Sequence, residues 1–378
     1  MKKVVIAIDS FKGCLPSAEA GKAAAEGIRS VYPECEVICL PIADGGEGML
    51  DVLIMATNGQ GVPISAHDPL MRWRNTYYGI SENGETAFIE MASISGLPLV
   101  PPERRNPMLT TTYGTGEIIR DALERGCRNF IIGIGGSATN DAGLGMLQAL
   151  GFRFSDKEGK EVGTGRGEVL IKVAHIDSTC VHPALNSCRF TVACDVQNPF
   201  YGPEGAAYVF APQKGADREM VEALDAGLQN FAEVIRHTTG KDISHHPGAG
   251  AAGGMGGSLL AFLNAELKPG IQLMLEALDF SNKIKSADLI ITGEGKADRQ
   301  TLMGKVPSGI LAEARKQNIP VILLAGNIED SDELQQAGFE GVFSVNPPFI
   351  SLEEAMRPEV ARKNIQQTVE VYLQEIND

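Results

Sequence analysis

The stretch Phe130–Leu150, FIIGIGGSATNDAGLGMLQAL, constrains this chain more than any other. Phe130 to Ile134 is an unbroken apolar run with β-branched residues, the pattern of a strand buried on both faces of a parallel sheet. Gly133, Gly135 and Gly136 follow, then Ser137, Ala138, Thr139, Asn140 and Asp141, before a helical period resumes through Leu144 and Leu147. A strand entering a glycine-rich turn that opens a helix aims backbone N–H groups and the positive helix end at one point, which makes an anion site. An ordinary tight turn accounts for the glycines. It does not account for Ser137, Thr139, Asn140 and Asp141 in the same turn, so the stretch is expected to form the floor of an active site.

Similar strand-to-helix units stand at both chain ends. Val4–Ile8 is a buried strand leading into Asp9-Ser10-Phe11-Lys12-Gly13, and a helix starts at Pro16-Ser17 and stops at Pro33. Cys35–Leu40 is a second strand, ending in Ala43-Asp44-Gly45-Gly46-Glu47-Gly48 before a helix over Met49–Ala56. Ala287–Thr292 is another strand, followed by the charged loop Gly293-Glu294-Gly295-Lys296-Ala297-Asp298-Arg299-Gln300-Thr301, a helix from about Pro307, and strands at Pro320–Ala325 and Val342–Val345. A last helix covers about Pro358 to Leu373. In open α/β sheets ligands bind beyond the carboxyl ends of the strands, where these loops fall.

Elsewhere the period changes. Trp73–Ile80 and Glu85–Met91 alternate around Asn83-Gly84, a strong hairpin signal. Phe152–Phe154, Arg189–Cys194 and Ala206–Phe210 read as short strands, and Leu224–Ile235 as an amphipathic helix. Pro247–Ser258, PGAGAAGGMGGS, is a second glycine loop running into an apolar helix, Leu259–Leu263. The expected architecture is α/β. A doubly wound, mostly parallel, Rossmann-like domain takes residues 1–66, 110–150 and 267–378. A mixed α/β domain, residues 67–109 and 151–266, is inserted into it, with the active site in the cleft between them.

The formal charge of −15 argues against nucleic acid as a partner, because binding to phosphate backbones needs a basic surface. Seven scattered cysteines, without a C-x-x-C pair, indicate neither a disulfide framework nor a zinc site, and suit reduced thiols in a cytoplasmic protein. The apolar run at the amino end stops at Asp9, too short for a signal segment, and no stretch approaches a membrane span. His245-His246 lacks metal-ligand spacing.

Three chemistries compete for the loops. Gly133-Ile134-Gly135-Gly136-Ser137-Ala138 fits G-x-G-x-x-A with Asp156 near the distance of a ribose-binding acid, so a nicotinamide-dependent oxidoreductase is one reading. A non-catalytic organic-acid-binding regulator is another. Phosphoryl transfer needs cations, N–H donors, carboxylates for Mg²⁺ and a group that deprotonates the acceptor. Lys12, Lys214, Lys296 and Lys305, with Asp44, Asp195, Glu294 and Asp298 and two glycine loops, supply all of these. No G-x-x-x-x-G-K-[ST] is present, nor the H-R-D and D-F-G motifs of protein kinases.

Longer blocks resolve the choice. DSFKGCLPSAEA (9–20), PIADGGEG (41–48), GIGGSATNDAGLGMLQALG (133–151), CDVQNPFYGPEGAAYVFAPQKGA (194–216), PGAGAAGGMGG (247–257) and DLIITGEGKADRQTLMGKVP (288–307) closely resemble the bacterial type I glycerate kinases, over essentially the whole length. Cys14 and Ala142 are small departures, where serine and glycine are common. The resemblance implies a two-domain α/β kinase that transfers the γ-phosphate of ATP to D-glycerate with Mg²⁺, with the 2-hydroxyl as the expected acceptor. It serves glycerate arising from glyoxylate and sugar-diacid breakdown.

The motif blocks assign no roles, so these are distributed by placement at strand and helix ends. Asp9, Ser10, Lys12, Gly135, Gly136, Ser137 and Asn140 are expected to hold the acceptor. Gly250, Gly253, Gly254, Gly256 and Gly257 are expected on the nucleotide phosphates, together with Lys296 and Lys305. Asp195 is the candidate general base, with Lys12 and Lys296 as catalytic cations. Glu294, Asp298 and Asp44 are the candidate Mg²⁺ ligands.

Overall fold

The computed structural model describes residues 1–43, 46 and 48–376. Asp44, a candidate metal ligand, lies outside the described residues. The chain divides into two compact units, Met1–Asp44 with Ile271–Asp378, and Gly45–Gly270.

The first unit holds a five-stranded, wholly parallel sheet among the described residues. Its order across the sheet is Gly341–Ser344, Val321–Ile328, Leu289–Ala297, Lys3–Ile8 and Glu36–Cys39. Val4, Ile6, Ile8, Leu289, Ile291, Ile322 and Leu324 pack with Ala20, Ala24 and Ile28 of the helix Ser17–Val31 and with Ile365 and Val369 of the helix Pro358–Glu375. Val5, Ala7, Ile290 and Leu323, which alternate with them, are equally buried, so the sheet is covered on both faces. This is the doubly wound, parallel layer expected from the sequence. From Lys3–Ile8 the chain first builds outward to Glu36–Cys39, then returns on the other side through Leu289–Ala297. The reversal puts a topological switch point between Lys3–Ile8 and Leu289–Ala297, where open α/β sheets bind ligands.

The second unit is built on a six-stranded mixed sheet, ordered Glu266–Lys268, Arg189–Ala193, Asn129–Gly133, Thr86–Glu90, Trp73–Ile80 and Gln60–His67. The first four are parallel and the last two join antiparallel. The Phe130 strand therefore does not join the sheet made by the chain ends, and the expected division at residues 66, 110, 150 and 267 is corrected. Phe130 pairs with Ala87 and Phe190 instead, and its ring stacks on Phe190 at 4.7 Å. A strand buried on both faces reads the same whichever sheet receives it.

Three local readings also change. Gln60–His67 is an edge strand, whose exposed face and Pro63 give it no apolar signature. Ala206–Phe210 is helical rather than extended: Ala206 and Ala207 are buried while Tyr208 and Val209 face outward. The strand begun at Leu289 continues to Ala297, because Lys296 and Ala297 pair with Asn327 and Ile328. Among the described residues no helix is long and apolar enough to cross a membrane.

Candidate active site

At the switch point of the first unit lies a cavity of about 330 Å³. Asp9, Ser10, Phe11 and Lys12 follow the strand Lys3–Ile8 into it; Glu294, Lys296 and Lys305 reach it from the charged segment, and Asn327 and Asn346 from the neighbouring strand ends. Phe11, Leu352 and Met356 supply an apolar wall. Asp9 is buried, its N–H held by Gly293 O at 2.9 Å, and its Oδ1 takes the N–H of Ser10 at 2.7 Å. The extended strand is what lifts Glu294 and Lys296 to the edge beside Asp9.

Glu294 is 7% exposed. Its Oε1 accepts from Thr301 Oγ1 at 2.6 Å, and Lys305 Nζ stands 3.6 Å from Oε2. Burial raises its carboxyl above the ordinary range and the nearby charge of Asp298 adds to that, while Thr301 and Lys305 pull the other way. Asp298 caps the short turn Arg299–Leu302 by accepting from Gln300 N at 2.8 Å, and Lys296 Nζ lies 3.4 Å from it and 2.9 Å from Glu329. A Mg²⁺ ion is held by one or two carboxylates with waters and phosphate oxygens rather than by a full protein cage. Two acids that repel each other beside lysines fit that requirement, and among the described residues no cluster of three metal-ligating side chains exists.

In the second unit the strands Thr86–Glu90, Asn129–Gly133 and Arg189–Ala193 end together, so Glu90, the 135–140 turn and Asp195 share one sheet edge. Asp195 is exposed, and its Oδ1 accepts the N–H of Gly270 at 2.8 Å, at the start of the helix Gly270–Ala277. Gly135 and Gly136 are exposed, whereas Ser137, Thr139, Asn140 and Asp141 are buried. Lys214, from the turn Pro212–Lys214, is 2% exposed and donates to Ser137 Oγ at 2.8 Å and to Thr139 O at 2.7 Å. Asp141 accepts from Thr112 N and Oγ1, both at 2.8 Å, and from Gly143 N and Gly145 N, both at 3.2 Å.

Those bonds occupy the N–H groups of the expected anion site. The helix opens at Leu144, where the helical period resumes in the sequence, and the N–H groups of Gly143 and Gly145 at its start are taken by Asp141. Asp156 is no ribose acid either. It closes a turn by accepting from Glu158 N and Lys160 N, and the strand before it, Arg153–Ser155, pairs antiparallel with His175–Asp177 in a separate ribbon.

The second glycine loop is likewise filled from within. Gly250, Gly254, Gly256 and Gly257 donate their N–H groups to the carbonyls of Asn198, Gly250, Ala251 and Ala249. A Cβ at Gly253 would fall 2.1 Å from Thr139 O, at Gly254 2.9 Å from Leu228, and at Gly257 2.6 Å from the Phe200 ring. Close packing against the Thr139–Asn140 backbone and against the Leu228 and Phe200 side chains accounts for these glycines without a phosphate. Sequence reasoning missed the apolar wall of the cavity and the placement of Lys214 under the Ser137 turn. A lysine after Pro212 in a loop carries no periodicity that would point it inward.

A buried carboxylate among lysines at a switch-point crevice, without a working dinucleotide fingerprint, defines an α/β enzyme acting on anionic small molecules. The particular family follows from comparison with known proteins. The chain belongs to the glycerate kinase family, whose model matches residues 4–377. It is 47% identical to the glycerate kinase of Bacillus subtilis (strain 168), over 93% of this chain and 92% of that protein. It is also 47% identical to the glycerate 2-kinase of Escherichia coli (strain K12), over 94% and 93% of the two chains. A crystal structure assigned to glycerate kinase 2 from Salmonella typhimurium LT2 superposes with a TM-score of 0.90 at 44% identity, covering 100% of this chain and 98% of that one. Family membership makes the chain a kinase that uses ATP, and removes the oxidoreductase and the regulator.

Proposed function

We propose that the protein phosphorylates D-glycerate at the 2-hydroxyl, using ATP with Mg²⁺. The observation that carries this reading is the whole-length match to glycerate kinases, one of them a glycerate 2-kinase.

Phosphoryl transfer leaves little covalent work to the protein and depends on positioning and electrostatics. In the first unit the triphosphate occupies the switch-point cavity, with its base toward Phe11, Leu352 and Met356 and its phosphates toward Lys12, Lys296 and Lys305. Support comes from a lining that combines Phe11, Leu352 and Met356 with three lysines. Glu294 and Asp298 would hold Mg²⁺, which neutralises phosphate charge when bound. Asp195 takes the proton of the acceptor hydroxyl.

The test is ADP release dependent on D-glycerate, followed by phosphorus NMR of the product. Absence of glycerate-dependent ADP overturns the activity, and 3-phosphoglycerate as product overturns the position.

A further inference from the structure

Lys214 is a buried amine with no carboxylate hydrogen-bonded to it. Its two acceptors, the Ser137 hydroxyl and the Thr139 carbonyl, are neutral. An ammonium has three hydrogens, and these contacts use two. Asp141 acts on it through space, yet that carboxylate is already taken up by Thr112, Gly143 and Gly145. Taking an ammonium out of water without a counter-charge costs several kcal/mol.

A second observation stands beside it. Asn140 follows the carbonyl that Lys214 holds, its side chain is 0% exposed, and neither Oδ1 nor Nδ2 has a hydrogen-bond partner. Thr139 Oγ1 is in the same state. Buried polar atoms are paired in the great majority of cases. Gly253 packs close to the turn: a Cβ built there would fall 2.1 Å from Thr139 O and 2.6 Å from Asn140 Cα. The adjoining Gly135 and Gly136 are exposed, which leaves the turn open to solvent on that side.

We infer that Lys214, Ser137 and Asn140 form the anchor for the carboxylate of the acceptor. A carboxylate carries one negative charge and several lone pairs, matching one ammonium, one hydroxyl and one amide; a phosphate dianion would leave charge unbalanced. The anchor makes the protein select hydroxy acids over polyols of the same size. This inference rests on the glycerate kinase reading, and wild-type ADP release tests that reading separately.

Lys214→Met and Asn140→Ala are each expected to raise the KM for D-glycerate about 10- to 100-fold, the worth of a hydrogen bond to a charged group, with the KM for ATP nearly unchanged. Hydrogen exchange on the wild-type enzyme avoids any dependence on how the variants fold. D-glycerate and lactate, without nucleotide, slow exchange over residues 135–141, whereas glycerol, which has no carboxylate, does not. Protection by glycerol equal to that by glycerate, protection by ATP alone, or no protection by any of them overturns the anchor. So does an unchanged KM for glycerate in both folded variants of an active enzyme.

Discussion

The hydroxyl of Thr301 joins two acids: it donates to Glu294 Oε1 at 2.6 Å and accepts the N–H of Asp298 at 3.0 Å. It therefore couples the carboxylate at the cavity to the loop carrying its neighbour. Burial pushes Glu294 toward its protonated form, and the Thr301 bond opposes that. Thr301→Val removes its share of the opposition and leaves that of Lys305, so Glu294 takes its proton at higher pH. The acid limb of kcat/KM is expected to move to higher pH, by an amount that saturating Mg²⁺ reduces. Glu294→Gln and Asp298→Asn raise the Mg²⁺ needed for half-maximal rate; unchanged metal dependence in both relocates the ion.

Lys12 lines the same cavity as Lys296 and Lys305. Lys12→Ala is accordingly expected to raise the KM for ATP about tenfold or more, as loss of one charge-assisted contact implies. Steady-state kinetics with each substrate varied in turn reads this out. A rise confined to glycerate returns Lys12 to the acceptor.

Gly253 and Gly84 both have positive φ, +67° and +73°, but only Gly253 is pressed against backbone atoms. Alanine at Gly84 meets nothing within 4 Å and carries only the left-handed conformational cost, about 1–2 kcal/mol. Alanine at Gly253 adds a displacement of the Thr139–Asn140 backbone, worth about 1–3 kcal/mol more. Urea denaturation of the two variants measures the difference; equal losses would mean that the close approach at Gly253 is not tight.

The same pair shows what the sequence could and could not convey. Strands with apolar runs, such as Val4–Ile8 and Phe130–Ile134, were legible because burial on both faces admits few other residues. The extension of the Leu289 strand through Glu294 and Lys296 was hidden, since polar residues at a sheet edge look like a loop. Asn83-Gly84 marks its hairpin by local chemistry alone. At Gly253 a glycine spares space, but nothing local says whether a phosphate or Thr139 fills it. Lys214 meets Ser137 across 77 positions, a contact that no local pattern encodes.

Burial pulls the Lys214 amine down to about 7, with the charge of Asp141 resisting. In the unfolded chain a lysine titrates near 10.4, as a rough reference. Between those values the unfolded chain binds the extra proton, so the free energy of unfolding rises with pH, by about 1.4 kcal/mol per unit. Below about pH 7 both states are protonated and the slope disappears. Lys214→Met lacks this term. The stability of wild type relative to the variant is thus expected to grow from pH 7 to pH 9, by roughly 2–3 kcal/mol in urea titrations. Saturating D-glycerate, which favours the ammonium, moves the rise to higher pH. A difference independent of pH without ligand shows that the amine is not depressed.

Asp195 combines an observed structural contact with the proposed role of general base. Its Oδ1 accepts from Gly270 N at 2.8 Å, which steadies the start of the helix Gly270–Ala277, and it stands exposed at the carboxyl edge shared with the Ser137 turn. Asparagine keeps an oxygen acceptor and the shape, so Asp195→Asn preserves the helix start while removing the basicity. As general base, Asp195 should then cost about 10²–10⁴ in kcat when replaced by asparagine, with the thermal midpoint little changed. Asp195→Ala removes the acceptor too and should lower the midpoint as well. A loss below about tenfold in Asp195→Asn, with Asp195→Ala destabilised, assigns the residue to the helix start and leaves the proton to another group.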